Sequence, residues 1–288
     1  MKFNLLNLKG GFGNQLFQLS FANYLKKTNN TIFINTDIYK VNNDLNNTRR
    51  EMIVNLDDFK LKESSGFVNS IFNKLNTVFN SSIIMKVFPK NNNFIFKFLK
   101  DKDLNSDKSK NSIFTIYDGY WQKYEYINYS KKFLVSSLSQ NELISDAIQT
   151  PKVNGSTLIH IRRQDYLILK QELDINYYKR AIKKARELVN EFHFTVFTDD
   201  IDWVKTHDIF NDAKKIYSPK RVETINDILQ TFSEMLKFEN FIIANSSFSY
   251  MAAFLGSTTN SKVIYPDPWF KGRKKDISFD EKWLMVNQ

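Results

Sequence analysis

Apolar residues along this chain fall into short unbroken runs, and between the runs they recur at helical spacing. Residues 2–8 (KFNLLNL) predict a strand, which the glycine-bearing stretch GGFGNQ (10–15) ends. Leu16, Phe17, Leu19, Phe21, Ala22 and Leu25 then follow a helical period, and TIFINT (31–36) predicts a second strand. The opening is β-loop-α-β. Residues 40–112 are less regular. NNDLNNTRR, KNNN and DKDLNSDKSKNS read as loops, and the apolar pieces 67–79 and 94–99 as short helices. FTIYDGYWQKYEYI (114–127) resumes β and aromatic character.

The second half is more regular. STLIHI (156–161), FTVFT (194–198), KKIYS (214–218), NFIIAN (240–245) and KVIYP (262–266) predict strands. Helices are predicted between them at 177–192, DIDWVKTHDIF (200–210), 224–237 and SFSYMAAFLG (247–256), the last closed by Gly256. Tyr178, Ile182, Ala185, Val189 and Phe192 share one face of the first helix. The strand runs do not alternate with period two, so they predict a parallel, doubly wound sheet buried on both faces. A boundary at 145–155, around QTPKVNGS, divides the chain into α/β units 1–150 and 151–288. No internal repeat at solenoid spacing is present.

Composition narrows the classes. A length of 288 residues suits two domains, and 42% hydrophobic with 15% aromatic residues supplies their cores. No apolar run approaches the ~18 residues of a membrane span, and the first residues lack a signal-peptide pattern. A cytoplasmic protein is expected. Zero cysteines exclude disulfides, thiolate metal sites and a cysteine nucleophile. His160, His193 and His207 are scattered, and no dense carboxylate cluster suggests Mg²⁺, so no metal site is expected. The net charge of +10 favours anionic partners: nucleic acid, an anionic membrane face or a phosphorylated substrate. Solvated faces account equally for many of the lysines. No nucleic-acid-binding motif is present, so no nucleic-acid partner is expected.

The predicted strand ends collect the polar residues, where an open α/β sheet binds its ligand. His160-Ile-Arg162-Arg163-Gln164-Asp165 follows one strand, Asp199-Asp200 the next, and Asn245-Ser246-Ser247-Phe248 a third, at a helix start. Two arginines there suit bidentate phosphate binding, or else an ion pair with Asp165. Asn245-Ser246-Ser247 reads as an anion site at a helix N-terminus or as a plain cap. Asp199 and Asp200 suit a guanine or ribose edge, or capping. Gly10, Gly11 and Gly13 let a turn approach a ligand closely, although GGFG lacks the full dinucleotide spacing. The alternative is a structural turn with Asn14 as its cap.

Taken together, GGFGNQLFQLSFA, HIRRQDY, FTDDIDW, ANSSFSYMAAFLG and VIYPDPWF occur in the order found in bacterial and animal α-1,2-fucosyltransferases of glycosyltransferase family 11 type, which the chain resembles over nearly its whole length. The resemblance implies an α/β fold of two Rossmann-like domains facing a cleft (GT-B type), an N-terminal acceptor-side domain and a C-terminal GDP-fucose-binding domain. It implies an inverting transfer of L-fucose from GDP-fucose to O2 of a terminal galactose, without a metal. The acceptor would be a galactose-terminated oligosaccharide or lipid-linked glycan of a bacterial surface polysaccharide or O-antigen, reached by peripheral contact with the inner membrane face. It implies donor binding by Gly11, Gly13, Asn14, His160, Arg162, Arg163, Asp199, Asp200, Asn245, Ser246, Ser247 and Phe248. Arg162 is expected to stabilise the diphosphate, assisted by Asn14, Ser246 and Ser247. Asp165 and Glu172 are the carboxylates available as base, Asp165 alternatively holding Arg163. Gln164 stands where Gly is usual in the family, and Tyr250-Met251 where aromatics are common. An α-1,6- or protein O-fucosyltransferase shares the glycine-loop and HxRR features. A non-catalytic sugar-nucleotide or glycan-binding protein is the alternative of another class.

Overall fold

A computed structural model describes residues 3–27, 31–40, 51–66, 68–70, 74, 96–101, 114–219, 224–272 and 277–288. The expected loops at 42–50 and 90–93, nearly all of 101–112, and most of the apolar piece 67–79 lie outside the described residues. The chain forms two compact units, Met1–Ser137 and Leu138–Gln288.

The first unit runs β1 (Phe3–Asn7), α1 (Phe12–Lys26), β2 (Thr31–Asn35), β3 (Lys62–Glu63), β4 (Phe96–Leu99), β5 (Phe114–Tyr117) and α2 (Tyr124–Tyr129), and α3 (Lys131–Leu138) leads out of it. Its strands are parallel, in the order β3-β2-β1-β5-β4. Helix α1 is buried on nearly every side from Phe12 to Ala22, so it is a core helix rather than a surface one. Two expectations are corrected. Residues 96–99 form a strand, because a parallel ladder with β5 takes up a backbone too short to hold a helix alone. The β character of 114–127 stops at Tyr117. The Asp101 carboxylate draws in the N–H groups of Tyr120 (3.0 Å) and Trp121 (2.6 Å), and Trp121 adopts φ +55°, which no strand accommodates.

The second unit contains α4 (Glu142–Gln149), β6 (Ser156–Ile161), α5 (Gln164–Leu169), α6 (Ile175–Leu188), β7 (His193–Thr198), α7 (Ile201–Lys205), β8 (Lys215–Tyr217), α8 (Ile225–Leu236), β9 (Asn240–Ile242), α9 (Ser247–Gly256), β10 (Val263–Asp267) and β11 (Leu284–Asn287). The sheet order is β8-β7-β6-β9-β10-β11, all parallel. Counted within the unit, this is the doubly wound order 3-2-1-4-5-6, and the winding reverses between β6 and β9. All six residues of β6 are buried. Helix α6 lays Tyr177, Tyr178, Ala181, Ile182 and Ala185 on the sheet. It ends at Leu188 rather than 192, and Phe192 packs on the core from outside the helix. The units part at 137/138, earlier than the 145–155 stretch, because α4 packs on α8 and buries Ile144 and Ala147 within the second unit.

Candidate functional site

In the first unit the polar residues gather at the carboxyl ends of β1 and β5, where the strand order also reverses. Gly10 adopts φ +82°, and a Cβ there would lie 2.8 Å from Asn14 Nδ2 and 3.1 Å from Tyr120 Cε1. Both the angle and the space demand glycine. Its carbonyl accepts from Gln15 Nε2 (3.0 Å) and Tyr39 Oη (2.8 Å). Gln15 is fully buried with every polar atom occupied: Nε2 also donates to Glu51 O, and Oε1 accepts from Ile53 N and Val54 N. Gln15 is thus a strut under the turn. Gly11 occupies the N-cap of α1 and Gly13 is buried in its first turn. Asn14 does not cap the helix. Its Oδ1 accepts from Gln122 Nε2 (2.9 Å), which orients the amide so that Nδ2 is left as a donor. Lys9 Nζ, ion-paired to Asp118 Oδ1 at 2.7 Å, ties the ends of the two strands.

In the second unit the switch between β6 and β9 carries the arginines. Arg162 Nε donates to Asp165 Oδ1 (2.9 Å), and its NH1 lies 3.1 Å from Asp199 Oδ2. Burial alone would lower the pKa of this guanidinium, but Asp199 and Asp165 outweigh burial and raise it. Arg163 turns the other way. Its N–H donates to Asp199 Oδ1 (2.8 Å), its Nε to Asp200 Oδ2 (3.0 Å), and its guanidinium lies 4.2 Å from the Trp203 ring centroid. Asp165 therefore holds Arg162, not Arg163 as the sequence suggested. The Asp199 side chain is largely covered, contacting both arginines instead of facing outward, and burial raises its pKa against the opposing pull of Arg162. Asp200 caps α7, accepting from Trp203 N (3.1 Å). Gln164 Nε2 donates to Asp199 O (2.8 Å), fastening the position where the family pattern has Gly.

His160 is buried on β6, and its ring lies 6.4 Å from that of Phe248. Burial, reinforced by Arg162, pushes its pKa from 6.5 down to about 3, so it is neutral. Asn245 Nδ2 donates to Gln171 O (2.7 Å), and Asn245 O accepts from Tyr166 Oη (2.9 Å), which knits the β6 and β9 loops together. Ser246 stands at the N-cap of α9 without a side-chain cap bond, and no acidic residue occupies the first turn, which begins with Ser247 and Phe248. Glu172 Oε1 lies 3.9 Å from Lys271 Nζ. His160 Nδ1, Glu172 Oε2 and Asn245 Oδ1 are buried without a hydrogen-bond partner among the described residues, while Asp199 Oδ2 is met by the Arg162 guanidinium. Buried polar atoms left unmatched near strand ends are groups that a bound ligand can satisfy. Beneath α9, Tyr250 donates to Ser278 O (2.7 Å) and packs on Phe279 and Trp283, filling the place of the aromatics usual in the family.

Gly11, Gly13 and Asn14 thus lie in the first unit, and the remaining predicted residues gather around one switch point in the second. Sequence reasoning missed Gln122, Tyr39 and Trp203. Gln122 lies inside the stretch 114–127 read as β, so its place beyond the strand end at Tyr117 was not legible. Tyr39 and Trp203 act on their neighbours through contacts across the fold, for which no local pattern exists. Among the described residues no group of three or more His, Asp or Glu side chains is placed to hold a metal ion. Among them, too, no helix is long and apolar enough to cross a membrane.

The chain is 29% identical to an alpha-1,2-colitosyltransferase of Escherichia coli over 307 aligned positions, covering 100% of both chains. It is 26% identical to the O-antigen biosynthesis glycosyltransferase WbnK of Escherichia coli, over 96% of this chain and 98% of that one. Among solved structures it is similar in fold to the NodZ alpha-1,6-fucosyltransferase of Bradyrhizobium soaked with GDP-fucose, with a TM-score of 0.51 at 16% identity, over 94% of this chain and 97% of that one. The description Glycosyl transferase family 11 matches residues 4–287. With the match running nearly from end to end, the chain belongs to glycosyl transferase family 11.

Proposed function

We propose that the chain transfers L-fucose from GDP-fucose to O2 of a terminal galactose, with inversion to an α-1,2 linkage, during assembly of a bacterial surface polysaccharide or O-antigen. The observation that carries this reading is Arg162, held charged between Asp165 and Asp199 at the switch point of a 3-2-1-4-5-6 sheet. The uncapped start of α9 belongs to the neighbouring loop. A fixed guanidinium fork and open helix N–H groups are the donors that a departing diphosphate requires. The 29% identity to an α-1,2-transferase supports the linkage, and the O-antigen relative supports the pathway.

On this reading the second unit binds the donor and the first serves the acceptor side. The bond from C1 of fucose to the β-phosphate oxygen breaks with its electron pair on GDP. The acceptor hydroxyl bonds to C1 from the opposite face, and its proton passes to water as the new bond forms. Arg162 and the first-turn N–H groups of α9 with Ser246 and Ser247 meet the charge that develops on the leaving group; for Asn14 Nδ2, in the first unit, the same role is proposed from the family resemblance alone. His160 and Phe248 line the donor pocket, and Asn245 fixes its loop. Arg163, Asp199 and Asp200 position Arg162 and its loop. Both carboxylates first considered as base face cations, Asp165 facing Arg162 and Glu172 facing Lys271. We read both as positioning groups, with departure of GDP leading bond formation. No metal takes part in the reaction so drawn.

The colitosyltransferase relative favours a second donor reading, GDP-colitose, whose sugar lacks the 3-hydroxyl of fucose. Release of GDP from each sugar nucleotide, with a panel of terminal β-galactosides, separates the two. We expect GDP-fucose to be turned over at the higher kcat/KM. A site built to hydrogen-bond a sugar hydroxyl discriminates strongly against the analogue lacking it. Higher turnover of GDP-colitose would reassign the donor.

A further inference from the structure

Three aliphatic side chains directly beyond the Arg162 cluster face outward. Leu167, Ile168 and Leu169, the last turn of α5, are 45%, 84% and 60% exposed. Their exposure is built into the backbone. Lys170 adopts φ +53°, and the N–H groups of Lys170 and Gln171 return to Leu167 O (3.2 Å) and Tyr166 O (2.9 Å). Main-chain bonds therefore close the turn and hold the aliphatic side chains up. Lys271 ties the neighbouring loop to this turn: its N–H donates to Gln171 Oε1 (2.8 Å) and its Nζ to Glu172 O (2.7 Å), beside the Glu172 carboxylate. The whole chain carries a net charge of +10. Left-handed backbone favours glycine, and here the chain carries lysine.

We propose that this prominence docks on an anionic phospholipid bilayer, with Ile168 and its neighbours entering the boundary between headgroups and acyl chains and the exposed Lys170 meeting the phosphates. Aliphatic insertion next to cations is the combination that binds a charged interface. The side chains that stand most exposed here are aliphatic, which suits an acyl boundary better than the aromatic stacking platform of a single-stranded nucleic-acid site. A second copy seated here about a two-fold axis would set Lys170 against its own counterpart, whereas an anionic surface attracts the same charge. The docking stands apart from the transfer reading. Only its consequence, bringing a membrane-borne acceptor to the adjoining site, rests on that reading.

Co-sedimentation of the full chain with vesicles tests the proposal. Binding is expected to vesicles of phosphatidylcholine mixed with phosphatidylglycerol, to weaken with salt, and to be far lower for phosphatidylcholine alone. Ile168→Ser should weaken it about tenfold or more. Lys170→Gly should weaken it about fivefold, while the melting temperature holds or rises, because glycine suits the left-handed backbone. A purely structural Lys170 would not change vesicle binding. Release of GDP with a soluble galactoside should be unchanged in both variants, so failure of docking and failure of the transfer reading are separate results. Absence of binding to the mixed vesicles, or wild-type binding by both variants, overturns the proposal. So does a dimer in analytical ultracentrifugation that Ile168→Ser abolishes.

Discussion

Arg162 Nε donates to Asp165 Oδ1 at 2.9 Å, a bond made three residues along the chain across the start of α5. The same guanidinium reaches back to Asp199 at the end of β7. One side chain is thus fixed from the first turn of α5 and from the end of β7. Lysine keeps the charge but has no fork with which to satisfy both carboxylates.

Exchange of each arginine for lysine should therefore give different losses. Arg162→Lys should lower kcat by ~10²-fold or more, the scale of removing one preorganised donor to a developing anion. Arg163 is committed to Asp200 and the Trp203 face. Arg163→Lys should cost about 1–2 kcal/mol of stability, from the weakened stacking and hydrogen bond, with a smaller change in kcat. Steady-state kinetics and thermal melts of both variants make the comparison. Equal, mild effects would deny Arg162 the diphosphate.

Asn14 offers a test in which the fold is nearly constant. Gln122 holds Oδ1, so Asn14→Asp preserves the acceptor, removes the Nδ2 donor and adds a negative charge. A donor that matters mainly in the transition state should give a steep fall in kcat with little change in GDP affinity. Asn14→Asp should be worse than Asn14→Ala, since it sets negative charge against the leaving group. A lowered melting temperature at unchanged kcat would make the turn structural.

Gly10→Ala should damage both properties. The backbone angle and the crowding against Asn14 and Tyr120 together should cost roughly 1–3 kcal/mol. The displaced Asn14 should lower kcat further. A variant with wild-type stability and rate would mean that the turn relaxes freely.

Acidification tests the burial of His160. Its folded pKa is depressed to about 3 from 6.5, so below pH 6.5 the unfolded chain takes up a proton that the folded chain refuses. Its contribution to stability is therefore complete above pH 6.5 and is lost as the pH falls toward 3, by at most about 1.4 kcal/mol per pH unit. His160→Asn should flatten the fall in melting temperature between pH 7 and 4.5. Asp199, raised by burial, acts in the opposite sense in both proteins, so the difference between the two profiles reports His160. Parallel profiles would place a protonated histidine in the fold.

Much of this architecture was legible because buried parallel strands are continuous apolar runs, as STLIHI and NFIIAN are. The strand ends then located His160 to Asp165, Asp199-Asp200 and Asn245 to Phe248 without further information. What the sequence hid was pairing at a distance. The four-residue β4 takes its form from its ladder with β5, and Trp121 is turned out of that ladder by Asp101. The partner of Asp165 was misread for the same reason, because adjacent arginines leave a strand end in different directions. Helix α4 and the edge strand β11 were passed over, each being short and stabilised chiefly by its neighbour in space.

The central claim is best tested by the product itself. The protein is incubated with GDP-fucose and a terminal β-galactoside in the presence of EDTA, and the linkage is determined by NMR alongside GDP release. We expect one α-L-fucose on O2 of galactose for each GDP released, at a rate that EDTA leaves unchanged. Fucose on any other oxygen, GDP release without transfer, or loss of activity in EDTA with rescue by Mg²⁺ or Mn²⁺ would contradict it.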